Sequence, residues 1–115
     1  MRNWIDNDDF MLEPVSVAKM DELKEGKGKH VSVNGLEIAI FKIGDKVYAI
    51  QQECPHQGGP LAEGDLNGFE VTCPWHQMIY DVRSGKASPK AWDKDFSVKT
   101  FTVTVVGNDV MVDIR

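Results

Sequence analysis

Two short segments of this chain each combine a cysteine with a nearby histidine. The first has the spacing C-x-H, at Cys54 and His56, and the second has the spacing C-x-x-H, at Cys73 and His76. Sixteen residues separate His56 from Cys73. Thiolate and imidazole groups are ligands that zinc and iron both accept. The spacing therefore predicts a metal site built from two cysteines and two histidines.

Two kinds of metal site use this set of ligands. A zinc site would bind all four side chains to one ion. A binuclear iron–sulfur cluster would instead take two cysteines on one iron and two histidines on the other. The cluster is the more specific interpretation, but the ligand types alone leave both open. The third histidine, His30, has no partner motif, and we expect it at a surface position of a strand.

The elements that must position these segments are short strands. Asn34-Gly35 is a strong signal for a two-residue hairpin turn, and alternating apolar residues flank it. In the strand that follows, Ile38 and Ile40 share one face, while Ala39 and Phe41 share the other. Further strands are predicted at 46–51, 69–72, 99–106 and 110–114, separated by turn residues. Many short strands with little helix favour an all-β sandwich or barrel.

The N-terminal third and the two cysteine-containing segments give weaker signals. We expect a first strand within Met11–Val17, then a helical turn over Val17–Leu23 with Ser16 as its cap, and then a loop at Glu25–Lys29. The segments Glu53–Gly64 and Cys73–Pro89 are rich in glycine and proline and are predicted to be loops.

Length and charge exclude several classes of protein. The chain has 115 residues, which suits one domain and is too short for a catalytic domain with a separate cofactor domain. The net charge of −5 disfavours binding to nucleic acid or to anionic membrane surfaces. No apolar run approaches the length of a membrane span, and the acidic N-terminus resembles no export signal. We therefore expect a soluble, cytoplasmic protein.

The two segments resemble a known pair of cluster-binding loops. Their sequences, C-P-H-Q-G-G-P-L and C-P-W-H-Q-M-I-Y-D, are similar to those of the Rieske family, and the resemblance extends from about Pro14 to Ile114. It implies an antiparallel β sandwich or barrel with a smaller cluster-binding subdomain at about 52–89. The Rieske domain would occupy 11–115, after an N-terminal tail at 1–10.

The resemblance implies one 2Fe–2S cluster and assigns a role to each ligand. Cys54 and Cys73 would bind the inner ferric iron. His56 and His76 would bind the outer, reducible iron near the protein surface, so that electrons enter and leave at the histidine-bearing edge. Neutral imidazoles make such a cluster easier to reduce than one held by four thiolates.

The function that the resemblance implies is electron transport rather than catalysis. The chain would be a ferredoxin that passes single electrons from a flavin-dependent ferredoxin reductase to a terminal Rieske oxygenase, such as a ring-hydroxylating dioxygenase. Two alternatives remain: a small Rieske-like subunit of an assimilatory nitrite reductase and, from another class, a zinc-stabilised interaction module.

The sequence departs from the high-potential Rieske proteins at two points. Those relatives carry two further cysteines that tie the loops together, one where Trp75 stands and one a few residues past the first histidine. They also have a serine where Met78 stands. Tyr80, however, matches a tyrosine that hydrogen-bonds a ligand sulfur in those proteins. The resemblance thus implies a potential at the low end of the Rieske range, about −150 mV. A third covering loop would contain Pro89 and Trp92.

Overall fold

A computed structural model describes residues 14–54, 59–75, 78–87 and 97–113 of the chain. Within these ranges, 3₁₀ helices occur at Met20–Glu22 and Leu61–Glu63. The strands in the same ranges are β1 Val15–Lys19, β2 Gly28–Val33, β3 Leu36–Ile43, β4 Lys46–Gln51, β5 Asp65–Asn67, β6 Glu70–Thr72, β7 Ile79–Asp81, β8 Thr100–Val106 and β9 Asp109–Asp113.

Six of these strands form one antiparallel sheet in the order β1-β9-β8-β4-β3-β2. The two outer strands of the sheet, β1 and β2, lie against each other, so the sheet curls into a nearly closed barrel. The three remaining strands form a small antiparallel sheet in the order β5-β6-β7. The prediction of an all-β antiparallel fold is confirmed.

Strand β3 is buried on both faces, as its sequence predicts. Ile38 and Ile40 belong to the core inside the barrel, with Val47, Ala49, Val110 and Val112 among their partners. Ala39 and Phe41 point the other way, into a second core that also contains Val71, Tyr80, Val82 and both cysteines. Because successive side chains of a strand alternate in direction, β3 lies between the two cores, and its neighbour β4 does the same with Ile50 and Ala49.

The small sheet packs across the outer face of β3 and β4. Its contact with β4 includes Tyr48, whose ring meets that of Phe69 edge to face at 5.9 Å between centroids. The guanidinium of Arg83 lies 4.0 Å from the centre of the Phe69 ring and also forms an ion pair with Asp81. These contacts fix the end of the small sheet that lies farthest from the cysteines.

The expectations for the N-terminal third are partly wrong. The first strand is Val15–Lys19 rather than Met11–Val17, and 11–13 lie outside the described residues. Ser16 caps no helix, because Val17 stays in the strand as the extra residue of a bulge in the pairing with β9. The helical turn is shorter than predicted, and the backbone N–H of Lys19 donates to the Glu22 carboxylate at 3.0 Å.

Two predicted loops contain regular structure. Strand β2 begins at Gly28, inside the segment expected to be a loop, and pairs with β3 along its whole length. The cysteine-containing segments hold β7 and the second 3₁₀ helix. Elements of three residues are too short to show a periodic pattern. The glycines and prolines of the cysteine-containing segments therefore led to the prediction of loops. No helix in the described ranges is both long enough and apolar enough to cross a membrane.

Gly85 joins the small sheet to the chain that leads into β8. Its N–H donates to the Asp81 carbonyl and its carbonyl accepts from the Val98 N–H, each at 2.7 Å. Its φ of +79° lies in the left-handed region, and a Cβ added there would lie 2.2 Å from the Val98 carbonyl oxygen. Both the backbone angle and the close approach therefore require glycine.

Replacing Gly85 with alanine should destabilise the protein strongly. The left-handed backbone costs about 1–2 kcal/mol and the overpacking against Val98 adds about 1–3 kcal/mol. Urea unfolding followed by far-UV circular dichroism measures the loss. Gly107→Ala is the matched control, because Gly107 has a φ of +60° with no other atom within 4 Å of the added Cβ. Equal losses for the two variants would show that contact with Val98 has no role.

Candidate metal centre

The first cysteine lies at the base of a hairpin that continues β4. The Cys54 N–H donates to the Gly59 carbonyl at 2.9 Å, and the Leu61 N–H donates to the Gln52 carbonyl at 2.8 Å. Glu53 and Pro60 are paired between these bonds. The chain thus leaves β4 and returns to it within a few residues, which accounts for the glycines and prolines of this segment.

The second cysteine lies at the base of a similar hairpin between β6 and β7. Thr72 pairs with Ile79, and the Cys73 N–H donates to the Met78 carbonyl at 2.7 Å. In both hairpins the cysteine N–H therefore bonds to the carbonyl five residues later. This common closure places each cysteine at the same point of its hairpin, just before the tip.

The structure brings two of the four predicted ligands into one core. Cys54 and Cys73 are 1% and 0% exposed, and both belong to the core that the small sheet shares with β3 and β4. The other two predicted ligands, His56 and His76, lie outside the described residues, as do Pro89 and Trp92 of the predicted third loop.

Tyr80 links the second hairpin to the sulfur of the first. Its hydroxyl lies 3.2 Å from Cys54 Sγ, and the side chain is completely buried. Burial, followed by the interaction with Cys54, raises the pKa of Tyr80 above its usual value. The hydroxyl therefore keeps its proton at ordinary pH and can donate it to a thiolate. Tyr80 and Cys54 are thus within hydrogen-bond distance, as the resemblance implies for this tyrosine and a cysteine sulfur.

Gly59 makes the reverse contact, from the first hairpin to the sulfur of the second. A Cβ added at Gly59 would lie 2.5 Å from Cys73 Sγ, so any larger residue would displace the sulfur. The sequence marked Gly59 only as a turn residue. The close approach of its backbone to a cysteine 14 positions later depends on how the two hairpins pack.

The surface beside Cys73 is apolar at one point and acidic at another. Trp75 is 61% exposed, and Pro74 is exposed as well. A cavity of about 240 Å³ opens beside Cys73 and is lined by Glu63, Asp65, Thr72 and Pro74. The sequence did not single out these two carboxylates, because neither the 3₁₀ helix that ends at Glu63 nor the strand that begins at Asp65 was predicted.

His30 is an exposed residue of β2, as predicted. Its Nε2 is hydrogen-bonded to the Glu37 carboxylate on β3, and the Ser32 hydroxyl donates to the same carboxylate at 2.6 Å. The hydrogen bond from Ser32, and then that from His30, holds the pKa of Glu37 below its usual value. His30 thus belongs to a surface cluster of polar side chains.

The cysteine side of this centre fits a 2Fe–2S cluster. As thiolates, the two buried sulfurs would supply soft, anionic ligands, and buried charge of this kind needs a metal or a hydrogen bond to offset it. Tyr80 provides the hydrogen bond at one sulfur, and the absence of a Cβ at Gly59 leaves room at the other.

Comparisons with known proteins identify the family. The Rieske [2Fe-2S] domain model matches residues 13–102. The ferredoxin component of the naphthalene 1,2-dioxygenase/salicylate 5-hydroxylase systems of Ralstonia sp. is 35% identical over 114 residues, which cover 99% of this chain and 98% of that protein. The ferredoxin of carbazole 1,9a-dioxygenase from Nocardioides aromaticivorans IC177 has a TM-score of 0.83 and 33% identity, covering 90% of this chain and 99% of that one.

Two further solved structures bear on function. A chain from a complex of reduced oxygenase and oxidised ferredoxin in carbazole 1,9a-dioxygenase has a TM-score of 0.80 and 25% identity, with 89% of this chain and 94% of that chain covered. A structure described as the small subunit of an NADPH nitrite reductase has a TM-score of 0.75 and 30% identity, with 88% and 98% covered.

The family model settles the choice between zinc and an iron–sulfur cluster, since it describes a [2Fe-2S] domain and includes both cysteines of the centre. Because the matched segment makes up most of the chain, this protein belongs to the Rieske [2Fe-2S] domain family and binds one cluster of that type.

Proposed function

We propose that this chain is the ferredoxin of a ring-hydroxylating dioxygenase system. It carries single electrons from a flavin-dependent ferredoxin reductase to a terminal Rieske oxygenase in the cytoplasm and transforms no substrate itself. The observation that carries the proposal is the pair of buried cysteines on two similarly closed hairpins, with a protonated tyrosine at one sulfur. The ferredoxin names of its relatives point the same way.

The proposed ligands are the four residues of the two motifs. Cys54 and Cys73 would hold the inner iron, and His56 and His76 would hold the outer iron. When bound, the cluster supplies a one-electron donor and acceptor. The cluster-binding subdomain would span about 52–89 of a Rieske domain at 11–115, with 1–10 as a tail.

The side chains around the cysteines would tune this centre without reacting. The core that contains Cys54 and Cys73 excludes water from the sulfurs. Tyr80 donates a hydrogen bond that favours the more negative, reduced state. Glu63 and Asp65 beside Cys73 act against it, because nearby negative charge opposes reduction. This balance of effects suits a carrier whose reduction potential is at the low end of the range for Rieske clusters.

The proposed contact surface for the oxygenase surrounds the hairpin tips. A ferredoxin is named together with its oxygenase in the carbazole 1,9a-dioxygenase complex, which supports a direct encounter. Trp75 and Pro74 give this surface an exposed apolar part. Electron-transfer encounters are usually small and transient, so a few such residues are sufficient.

The small subunit of a nitrite reductase is the second candidate, supported by the 30% identity to a structure so described. A complete set of four ligands in the sequence counts against it. Turnover with a purified oxygenase and reductase, compared with turnover with a nitrite reductase large subunit, separates the two functions.

The first prediction concerns metal content. The purified protein should contain about two iron and two sulfide per chain and give a rhombic EPR signal when reduced. His56→Ala and His76→Ala should each lose the cluster, because an open iron position admits water. His30→Ala is the control and should leave the visible spectrum unchanged. One zinc per chain without sulfide would contradict the assignment.

The second prediction concerns the potential. Tyr80→Phe removes the hydrogen bond to Cys54 Sγ and should lower the midpoint potential. A net hydrogen bond of about 1 kcal/mol corresponds to about 40 mV for one electron. Tyr48→Phe is the matched control, because the Tyr48 ring contacts Phe69 instead. Protein-film voltammetry measures both, and equal potentials would show that the Tyr80 hydroxyl does not act on the cluster.

The third prediction concerns docking. Gln57→Glu adds a negative charge beside the proposed ligand His56 and should slow reduction of the oxygenase without changing the visible spectrum. Asn67→Asp adds the same charge at the turn between β5 and β6, at the far end of the small sheet. Stopped-flow rates decide between them. If Asn67→Asp slows transfer as much as Gln57→Glu, the contact surface is not at the hairpin tips.

A further inference from the structure

The two cysteine hairpins touch each other at Gly59. A Cβ built on this residue would lie 2.5 Å from Cys73 Sγ and 3.3 Å from both Cβ and Cγ of Trp75. The backbone of the first hairpin is therefore in contact with the sulfur of the second and with the stem of its tryptophan. Glycine permits this contact because it has no side chain to hold the two hairpins apart.

Trp75 is packed near its backbone, but its ring is largely exposed to solvent. Its Cβ and Cγ pack on Gly59, yet 61% of the residue is exposed. A large aromatic ring normally gains free energy by burial, so an exposed indole beside a buried cysteine calls for an explanation. The neighbouring Cys73 is completely buried, and its Sγ meets the same Gly59 backbone on which Cβ and Cγ of Trp75 pack.

We propose that Trp75 is a positioning residue that clamps the two cysteine hairpins together over Gly59 and shields Cys73 Sγ from solvent. The proposal rests on the proposed function, since the sulfur that it protects is a cluster ligand there. Cβ and Cγ of Trp75 and Sγ of Cys73 all meet the Gly59 backbone. Such contacts are individually weak, but together they resist separation of the hairpins.

The separation at this point supports a clamp. A disulfide places its two Cβ atoms about 3.5–4.5 Å apart. The 3.3 Å between the added Cβ at Gly59 and Trp75 Cβ is shorter than that range, so the two hairpins are in close contact at this point. At this point an aromatic side chain packed on a glycine would hold the hairpins together in place of a disulfide. The clamp therefore does not depend on disulfide formation.

The test measures how fast the intact holoprotein loses its cluster to a chelator, followed by visible absorbance. Trp75→Ala should speed the loss about tenfold, which corresponds to about 1.4 kcal/mol in the barrier. Trp75→Phe should restore most of the wild-type rate, because a smaller ring still covers Gly59. The control is Val106→Ala, since Val106 is also apolar and 59% exposed but lies at the tip of the hairpin between β8 and β9.

A second readout separates shielding from general loosening. Iodoacetamide present during cluster loss traps each thiol as it is released, and peptide mapping reports which cysteine reacts first. Trp75→Ala should raise alkylation of Cys73 relative to Cys54, because Cys54 lies against Tyr80, whereas Cys73 shares its contact with Gly59 with Trp75. A variant that merely unfolds more readily would expose both cysteines equally.

The outcomes are distinct. Faster loss in Trp75→Ala, rescue by Trp75→Phe and preferential alkylation of Cys73 support the clamp. Wild-type kinetics in Trp75→Ala, no rescue by phenylalanine, or equal alkylation of the two cysteines overturns it while leaving the electron-carrier function intact. A wild-type protein that binds no cluster overturns both.

Discussion

Burying two cysteine sulfurs in one core also buries the backbone that carries them, and every N–H of that backbone needs a partner. The protein meets this requirement in the same way twice, with a bond from the cysteine N–H to the carbonyl five residues later. Each hairpin is thereby closed just before its tip. The ligand motifs, the glycines and prolines beside them and the small sheet all serve this arrangement.

Contacts between the hairpins are reciprocal. Tyr80 reaches from the second hairpin to the sulfur of the first, and Gly59 reaches from the first to the sulfur of the second. Strand β3 then connects this core to the interior of the barrel, because its alternate residues Phe41 and Ile40 belong to different cores. Strand β4 does the same through Ile50 and Ala49, so changes in barrel packing reach the cysteine-containing core through both strands.

The sequence predicted the features that depend on local pattern. Alternation along β3 predicted both of its faces correctly, and the two cysteines that the motif spacing grouped together share one core. Features that depend on packing were not predictable. Val17 stays in a strand because it lies in a bulged pairing with β9, and β7 forms through its pairing with β6 and the bridge between Tyr80 and Ala87. The contact of Gly59 with Cys73 likewise forms only when both hairpins are in place, so no local sequence pattern predicts it.

Strand β8 runs from the end of the barrel near the first cysteine hairpin to the opposite end. It begins beside Ile50, four residues before Cys54, and ends at the Gly107-Asn108 turn. Seven residues of extended strand span about 20 Å, so this turn lies at the opposite end of the barrel from the point where β4 leaves toward the first hairpin. A linker or surface anchor attached at this turn would leave the metal centre facing outward. The turn is thus a natural attachment point for fusing the carrier to a second protein or for orienting it on an electrode.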